Sequence, residues 1–488
     1  MSTRSEMAIL SLLLAIYFIA SIFLLPDMPI HVDEPAYTDP AASLFLKHEF
    51  SSGAWYAQNI HEFWAGNVPL HQILLSSWYR QFGFSLVSTR AINLIYVVVA
   101  MFLLWRGLVQ TDWFAFGRWR ITLVGTVLGT FSVGLMPFWG RPDGITLLLL
   151  CAVFCAWSVR GVETVRLLVL GLLAFLSVWA GLQLAVAVGF FGIVLLAVDF
   201  KRQWKTVSAL AVGGLCGVVM LVWFYVANGV WNGFLASVMP HMGGNTQGAP
   251  PRTWSHRIGF LKDPSYLMVI LATVATVVGM FWKWTRNRNP LILRTNLLLL
   301  AFSVGLPLVF VGLSVFPTYY SFFAVIPALV TIFYAGSKGL LIPELKWTAL
   351  SAAALAVIFG APWSMALAFT HNTDNQTRVF EEFVAKVVKP TDCVLYERPA
   401  YYALKQRTPK CYLINWYFPH MKSEEKKNLT LLLLAKDTFD RTSPLLEGNW
   451  IQVLEPAAVP NRNLKALSNS DWYRKNPIIE LRAYRRQP

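Results

Sequence analysis

The chain has 488 residues, 56% of them hydrophobic and only 14% charged, whereas about a quarter of the residues in a soluble globular protein are charged. That balance excludes an ordinary soluble enzyme and points to a polytopic membrane protein. The formal net charge of +15 is no argument for nucleic acid. Its Lys and Arg gather in short loops between apolar runs, as the positive-inside bias predicts, which leaves anionic lipid or lipid phosphate as the partner class for the charge.

In chain order, an apolar run from Met7 to Leu25 is long enough to cross a bilayer. Arg4 precedes it and no small-residue cleavage site follows, so it reads as an uncleaved first span with the N terminus inside. It delivers His31-Val32-Asp33-Glu34-Pro35 to the far surface. Two carboxylates at that depth either mark a first wet loop or form a site whose protonation is tuned by desolvation. The polar, aromatic stretch 26–89 is too long for a turn and too patterned for disorder. Tyr37 to Phe50 and Val68 to Phe82 within it read as helices lying in the interface.

Ala91 to Trp105 crosses back to the basic Arg106, Arg118 and Arg120, and Ile121 to Phe138 returns outward to Arg141-Pro142-Asp143. Asp143 is thereby predicted on the same face as Asp33. Gly144 to Trp157 heads inward, and Leu167 to Val198 is two short spans with a turn near Gly181. Val207 to Val226 opens a second large outer loop, 227–264, whose Gly and Pro content argues against a long regular element. The spans from Tyr266 to Phe369 complete a count of about eleven. Beyond residue 370 the polar composition predicts an extracytoplasmic α/β domain, 370–488, after a transmembrane domain, 1–369. Strands are expected over Cys393–Tyr396, Thr430–Leu434, Ile451–Leu454 and Ile478–Tyr484, with a helix over Thr377–Val388. Cys393 and Cys411 fall in that domain and can pair in an oxidising compartment.

Three signatures on the outer face make the chain resemble the polyprenyl-phosphate-sugar glycosyltransferases of the C-type fold. The group concerned contains the protein O-mannosyltransferases and the lipid A aminoarabinose transferase. The first is Asp33-Glu34-Pro35-Ala36-Tyr37-Thr38-Asp39. The second is Asn67-Val68-Pro69-Leu70 running through Phe82-Gly83 to Arg90. The third is Arg141-Pro142-Asp143, with a later Tyr319-Tyr320 before a helix containing Pro327. The resemblance spans about residues 5 to 340. It implies a membrane glycosyltransferase of the bacterial inner membrane, taking sugar from a polyprenyl-phosphate donor for a glycan, lipid or protein acceptor of the envelope. It also implies inversion at the anomeric carbon and no required cofactor.

Two departures matter. Ala36 stands where many members carry Arg, and Asn67 replaces the family Lys. The donor phosphate must then be met elsewhere, with Arg141, His61, His71 and Arg90 as candidates by position. Asp33 is the expected general base, within reach of an attacking hydroxyl. Asp143 and Glu34 are the further candidate carboxylates, although Arg141–Asp143 could equally be a local ion pair and Glu34 a helix-start residue. Tyr37, Asn67, Tyr319 and Tyr320 are expected to line the donor, or for the tyrosines an interfacial belt. His61 and His71 with Asp33 could in principle hold a divalent metal. The rival classes are a transporter or flippase, which would need ionisable groups or broken helices at mid-depth, and a non-catalytic envelope assembly protein.

Overall fold

A computed structural model describes residues 3–487 apart from 29, 32, 56–59, 115, 240–263, 287–289, 314–319, 342, 371–375 and 461–477. The first span is α1, Thr3–Leu24. It buries Leu10, Leu14 and Tyr17 while Leu12, Ile16, Ile19 and Phe23 stay exposed, as expected of a helix with one face on protein and one on lipid. The two interfacial helices follow, α2 at Glu34–Lys47 and α3 at Leu70–Phe82. Then come α4, Leu86–Gln110, and α5, Gly117–Gly129. A tight bend through Met136–Trp139 leads into α6, Asp143–Ser158.

Next are α7, Glu163–Ala180, and α8, Leu182–Ala227, whose 46 residues are broken by non-helical backbone at Asp199. The predicted turn at Gly181 is present as an extended residue between α7 and α8. These two helices pack backbone to backbone. A Cβ on Gly213 would lie 1.9 Å from the Gly171 carbonyl oxygen, the close approach that small residues allow between spans. The later helices are α9 Pro264–Arg286, α10 Pro290–Leu300, α11 Leu306–Gly312, α12 Phe322–Ser337, α13 Pro343–Ile358 and α14 Ala361–Thr370. A π-helical turn, Ala301–Gly305, joins α10 to α11.

Seven stretches of helix among the described residues are long and apolar enough to span a membrane, and Asp143–Ser158 and Phe322–Ser337 are shorter apolar helices. Counting α8 as two legs brings these to ten, against the eleven or so expected; α5, 13 residues long, packs among α1, α4, α12 and α13. Buried ion pairs tie the two ends of the bundle. At one end Glu6 receives Arg120 at 2.6 and 3.0 Å and the Trp105 indole at 3.4 Å. At the other Glu34 receives Arg90 at 2.8 and 3.0 Å, with both side chains fully buried.

The C-terminal region is an α/β unit whose sheet runs β2-β1-β3-β6-β4, with β5 also pairing with β6. Its strands are β1 Val394–Tyr396, β2 Cys411–Leu413, β3 Leu431–Leu434, β4 Trp450–Gln452, β5 Ala457–Pro460 and β6 Ile478–Arg486. The first three are parallel, and β6 is antiparallel to its neighbours. β2 and β5 are additions to the four predicted strands. β1, β2 and β3 are buried throughout, which gives the continuous apolar reading of a strand covered on both faces. Cys393 and Cys411 are both buried free thiols.

This unit docks on the first loop. Lys405 pairs with Asp39 at 2.7 Å with both side chains buried, and Asp39 also accepts from Ser52 at 3.0 Å and the Gly53 amide at 2.8 Å. Leu413 N–H donates to Gly53 at 2.9 Å, continuing the hydrogen-bonding edge of β2 into the loop. Thr377 reaches the Pro26 carbonyl at 2.9 Å and Gln406 that of Phe84 at 2.9 Å.

Candidate active site

The bend between α5 and α6 returns the chain onto the start of α2. Gly140 makes this possible: its φ is +58°, and a Cβ there would lie 2.4 Å from Glu34 Cγ. The positive φ favours glycine, and the contact leaves no room for anything larger. The next residue, Arg141, is 1% exposed and sits between two carboxylates. Its Nε donates to Asp143 Oδ2 at 2.8 Å, and its Nη1 donates to Asp33 Oδ2.

Asp33 occupies the N-cap of α2 but makes no capping bond, although Asp is among the residues that commonly cap. Its side chain turns to Arg141 instead and is 13% exposed. Asp143 is the first residue of α6, is 1% exposed, and its Oδ1 has no hydrogen-bond partner. Two aromatic rings flank the guanidinium, Tyr37 at 5.0 Å and Tyr320 at 5.8 Å from Arg141 Cζ. Such cation–π contacts strengthen once water is excluded. Asn67 reaches the Tyr37 hydroxyl at 3.4 Å with Nδ2, and its backbone carbonyl accepts from Tyr225. Asp33, Arg141, Asp143, Tyr37, Tyr320 and Asn67 therefore form one connected constellation.

The remaining candidates lie differently. Glu34 and Arg90 are bound to each other, and both are 0% exposed. Glu34 further accepts from the Tyr402 hydroxyl at 2.9 Å and the His31 amide at 3.0 Å, while Arg90 donates to the carbonyls of Leu25 and Met28 at 2.7 and 2.8 Å. Their observed work is to fix the exit of α1 against α2 and α4. His71 is fully buried on α3, neither ring nitrogen has a hydrogen-bond partner, and burial pushes its pKa down to about 3. His61 is exposed where the loop meets the C-terminal unit, next to Ile60, whose amide donates to Tyr417 at 3.1 Å. Tyr319 lies outside the described residues. Among the described residues no three His, Cys, Asp or Glu side chains converge as a metal-binding group.

Two contributors were not singled out from sequence. His31 Nδ1 accepts from the Asp33 amide at 3.2 Å, and the ring lies 6.0 Å from Trp139. Burial lowers its pKa to about 3, opposed by Asp33 and reinforced by the positive potential of Arg141, Arg398 and Arg90. Arg398, 6% exposed in the C-terminal unit, contributes to the positive potential at His31. Only the local count of basic residues near strand β1 could have hinted at it.

No family model matches the chain, and no curated protein matches it either. Solved structures share its fold, among them two of one protein. One is ArnT from Cupriavidus metallidurans bound to undecaprenyl phosphate, with a TM-score of 0.58 and 12% identity over 91% of this chain and 96% of that one. The other is the same protein in the apo state, with a TM-score of 0.58 and 15% identity over 93% and 97% of the two chains. The shared fold extends past the stretch 5–340 that the sequence resemblance covered, into the C-terminal unit.

Proposed function

We propose that this multi-pass membrane protein is a glycosyltransferase that moves a sugar from a polyprenyl-phosphate donor to a hydroxyl of an envelope glycan, lipid or protein. The observation that carries the reading is the pair Asp33 and Asp143 held on one buried arginine at one end of a bundle of membrane-spanning helices. The fold shared with a protein crystallised on undecaprenyl phosphate supports it.

In this scheme the acceptor hydroxyl donates its hydrogen bond to Asp33 Oδ1. The oxygen attacks the anomeric carbon, the bond from that carbon to the phosphate oxygen breaks with its electron pair going to the phosphate, and the proton passes to Asp33. Attack opposite the leaving group inverts the configuration. The leaving phosphate gains charge, and a preorganised cation in a water-poor site stabilises it most effectively. Arg141 fills that role, with Arg398 adding to the potential. A planar guanidinium can hold a carboxylate and a phosphate oxygen on different edges, so the donor recruits Arg141 without dismantling its bond to Asp143. Tyr37 and Tyr320 wall the headgroup, and Asn67 orients Tyr37. The site faces the extracytoplasmic side of the bacterial inner membrane, with the N terminus inside and 370–488 outside.

Asp33→Asn is nearly isosteric and keeps an acceptor oxygen for Arg141, so the purified variant should fold as the parent does. Transfer from undecaprenyl-phosphate-linked sugar should fall at least about a thousandfold, within the range for loss of a general base. Full turnover by a well-folded variant would sink the assignment.

A further inference from the structure

At the end of the bundle opposite Asp33, the last turns of α4, α6 and α12 and the first turn of α7 surround a cavity of about 810 Å³. Four cations line it, Arg160, Arg166, Arg202 and Lys338, against two carboxylates, Asp112 and Glu163. Both carboxylates already have partners: Arg160 holds Asp112 at 2.7 Å, and Glu163 is met at 3.2 Å by Lys205 from outside the cavity. Arg166 Nε is buried with no hydrogen-bond partner, a donor built into the wall with nothing on it. Arg202 stands 3.9 Å from Asp199 and Lys338 donates to the Asp112 carbonyl at 3.0 Å, so the positive charge left over in the cavity centres on Arg166.

Its inner wall is apolar. Trp113 and Trp157 line this cavity and also a second one, of about 110 Å³, that runs up into the bundle between Phe154, Leu298, Phe302 and Ile326. A soluble phosphate compound could use the charge but not the hydrocarbon chamber above it. An amphiphile with a phosphate head and an alkyl or prenyl tail uses both, since lipid phosphates are drawn to basic pockets between spans. The position makes the site distinct from the Asp33 constellation, and the inference does not depend on the transfer reaction.

We propose that this end of the bundle is a second binding site, for the phosphate headgroup of a membrane lipid, with part of its chain in the apolar chamber. The test uses the full-length protein in phosphatidylcholine nanodiscs with a trace of phosphatidic acid carrying a diazirine in its acyl chain. After irradiation, labelled peptides are mapped by mass spectrometry. Label should concentrate on the peptides containing Phe154 and Trp157 and those containing Leu298 and Phe302. Unlabelled dioleoyl phosphatidic acid should displace it, and excess phosphatidylcholine, inorganic phosphate or ATP should not. Label spread evenly around the lipid-facing helices, or displaced by phosphatidylcholine, would overturn the proposal. Displacement by ATP or inorganic phosphate would reassign the cavity to a soluble anion and overturn the lipid assignment. Arg166→Gln with Arg202→Gln should lower label at these peptides about tenfold through loss of charge-assisted contacts. The wild-type map decides the question even if that double variant does not fold.

Discussion

Arg141 is the residue on which both carboxylates depend, and its burial makes the dependence severe. Two negative charges and one positive charge in a nearly dry site are tolerable because the guanidinium offers separate donors to each, Nε to Asp143 and Nη1 to Asp33. Removing one partner of a buried pair typically costs about 3–5 kcal/mol, because the other charge is left uncompensated. Arg141→Met should therefore destabilise the protein by an amount of that order, mostly through Asp143, which is 1% exposed, and less through Asp33, whose side chain is partly open. Adding Asp143→Asn removes the stranded charge and should recover most of the loss in a thermal or denaturant melt. On the proposed reading, transfer activity should stay low in the double variant, since Arg141 is the cation assigned to the leaving phosphate. Recovery of activity together with stability would assign Arg141 a purely structural role.

Among the elements, α3 carries an unusual cargo for an interfacial helix. His71, Gln72 and Ser76 are fully buried on it, and their side-chain polar atoms have no hydrogen-bond partners. A buried polar group without a partner costs free energy, and for histidine the cost becomes pH-dependent. The folded-state pKa of His71 is depressed to about 3 by burial, against an ordinary value near 6.5. Above pH 6.5 the ring is neutral in both folded and unfolded chains and contributes no pH dependence. As pH falls below 6.5 the unfolded chain takes up a proton that the folded one refuses, so stability is lost by about 1.4 kcal/mol per pH unit until the folded pKa is reached. Between pH 6.5 and 5 that amounts to about 2 kcal/mol from this residue. His71→Leu should lose about 2 kcal/mol less than the parent over the same interval, read from denaturant midpoints at the two pH values. Equal losses in the two proteins would mean that the imidazole is solvated or partnered in the folded state. The remaining acid sensitivity of the variant should come largely from His31, whose pKa is also pushed down to about 3.

At the scale of the whole molecule, what was legible in the sequence was what depends on local pattern. Long apolar runs gave the crossings, short apolar and mixed stretches in the polar C-terminal region gave four of the six strands, and the span count put Asp143 on the face of Asp33. What depends on distant partners was not legible. Nothing near Glu34 announces that Arg90 will bind it, so the sequence left it between a second site carboxylate and a helix-start residue, and its observed contacts tie helices together. Strand β2 has its edge completed by Gly53 from the first loop, a partner more than three hundred residues away that no local pattern shows. The same blindness hid the docking of the C-terminal unit, in which Lys405 reaches Asp39 across more than three hundred residues of chain. Burial works against the Lys405 ammonium, yet Asp39 beside it holds its pKa above the ordinary value, so the pair stays ionised. Lys405→Met should thus strand Asp39 and cost about 3–5 kcal/mol. Lys405→Met with Asp39→Asn should regain most of that, because Asn can still accept from Ser52 and the Gly53 amide. The consequence for function follows from position: Tyr402, one turn before Lys405, donates to Glu34 at 2.9 Å, and Glu34 adjoins Asp33. If the C-terminal unit steadies Asp33, the proposed base, through this contact, Lys405→Met assayed well below its melting temperature should lose turnover about tenfold or more, since small misplacements of reacting groups are costly. The double variant should recover stability and turnover together. Turnover unchanged in a visibly destabilised Lys405→Met protein would separate docking from catalysis and leave the C-terminal unit a purely architectural part.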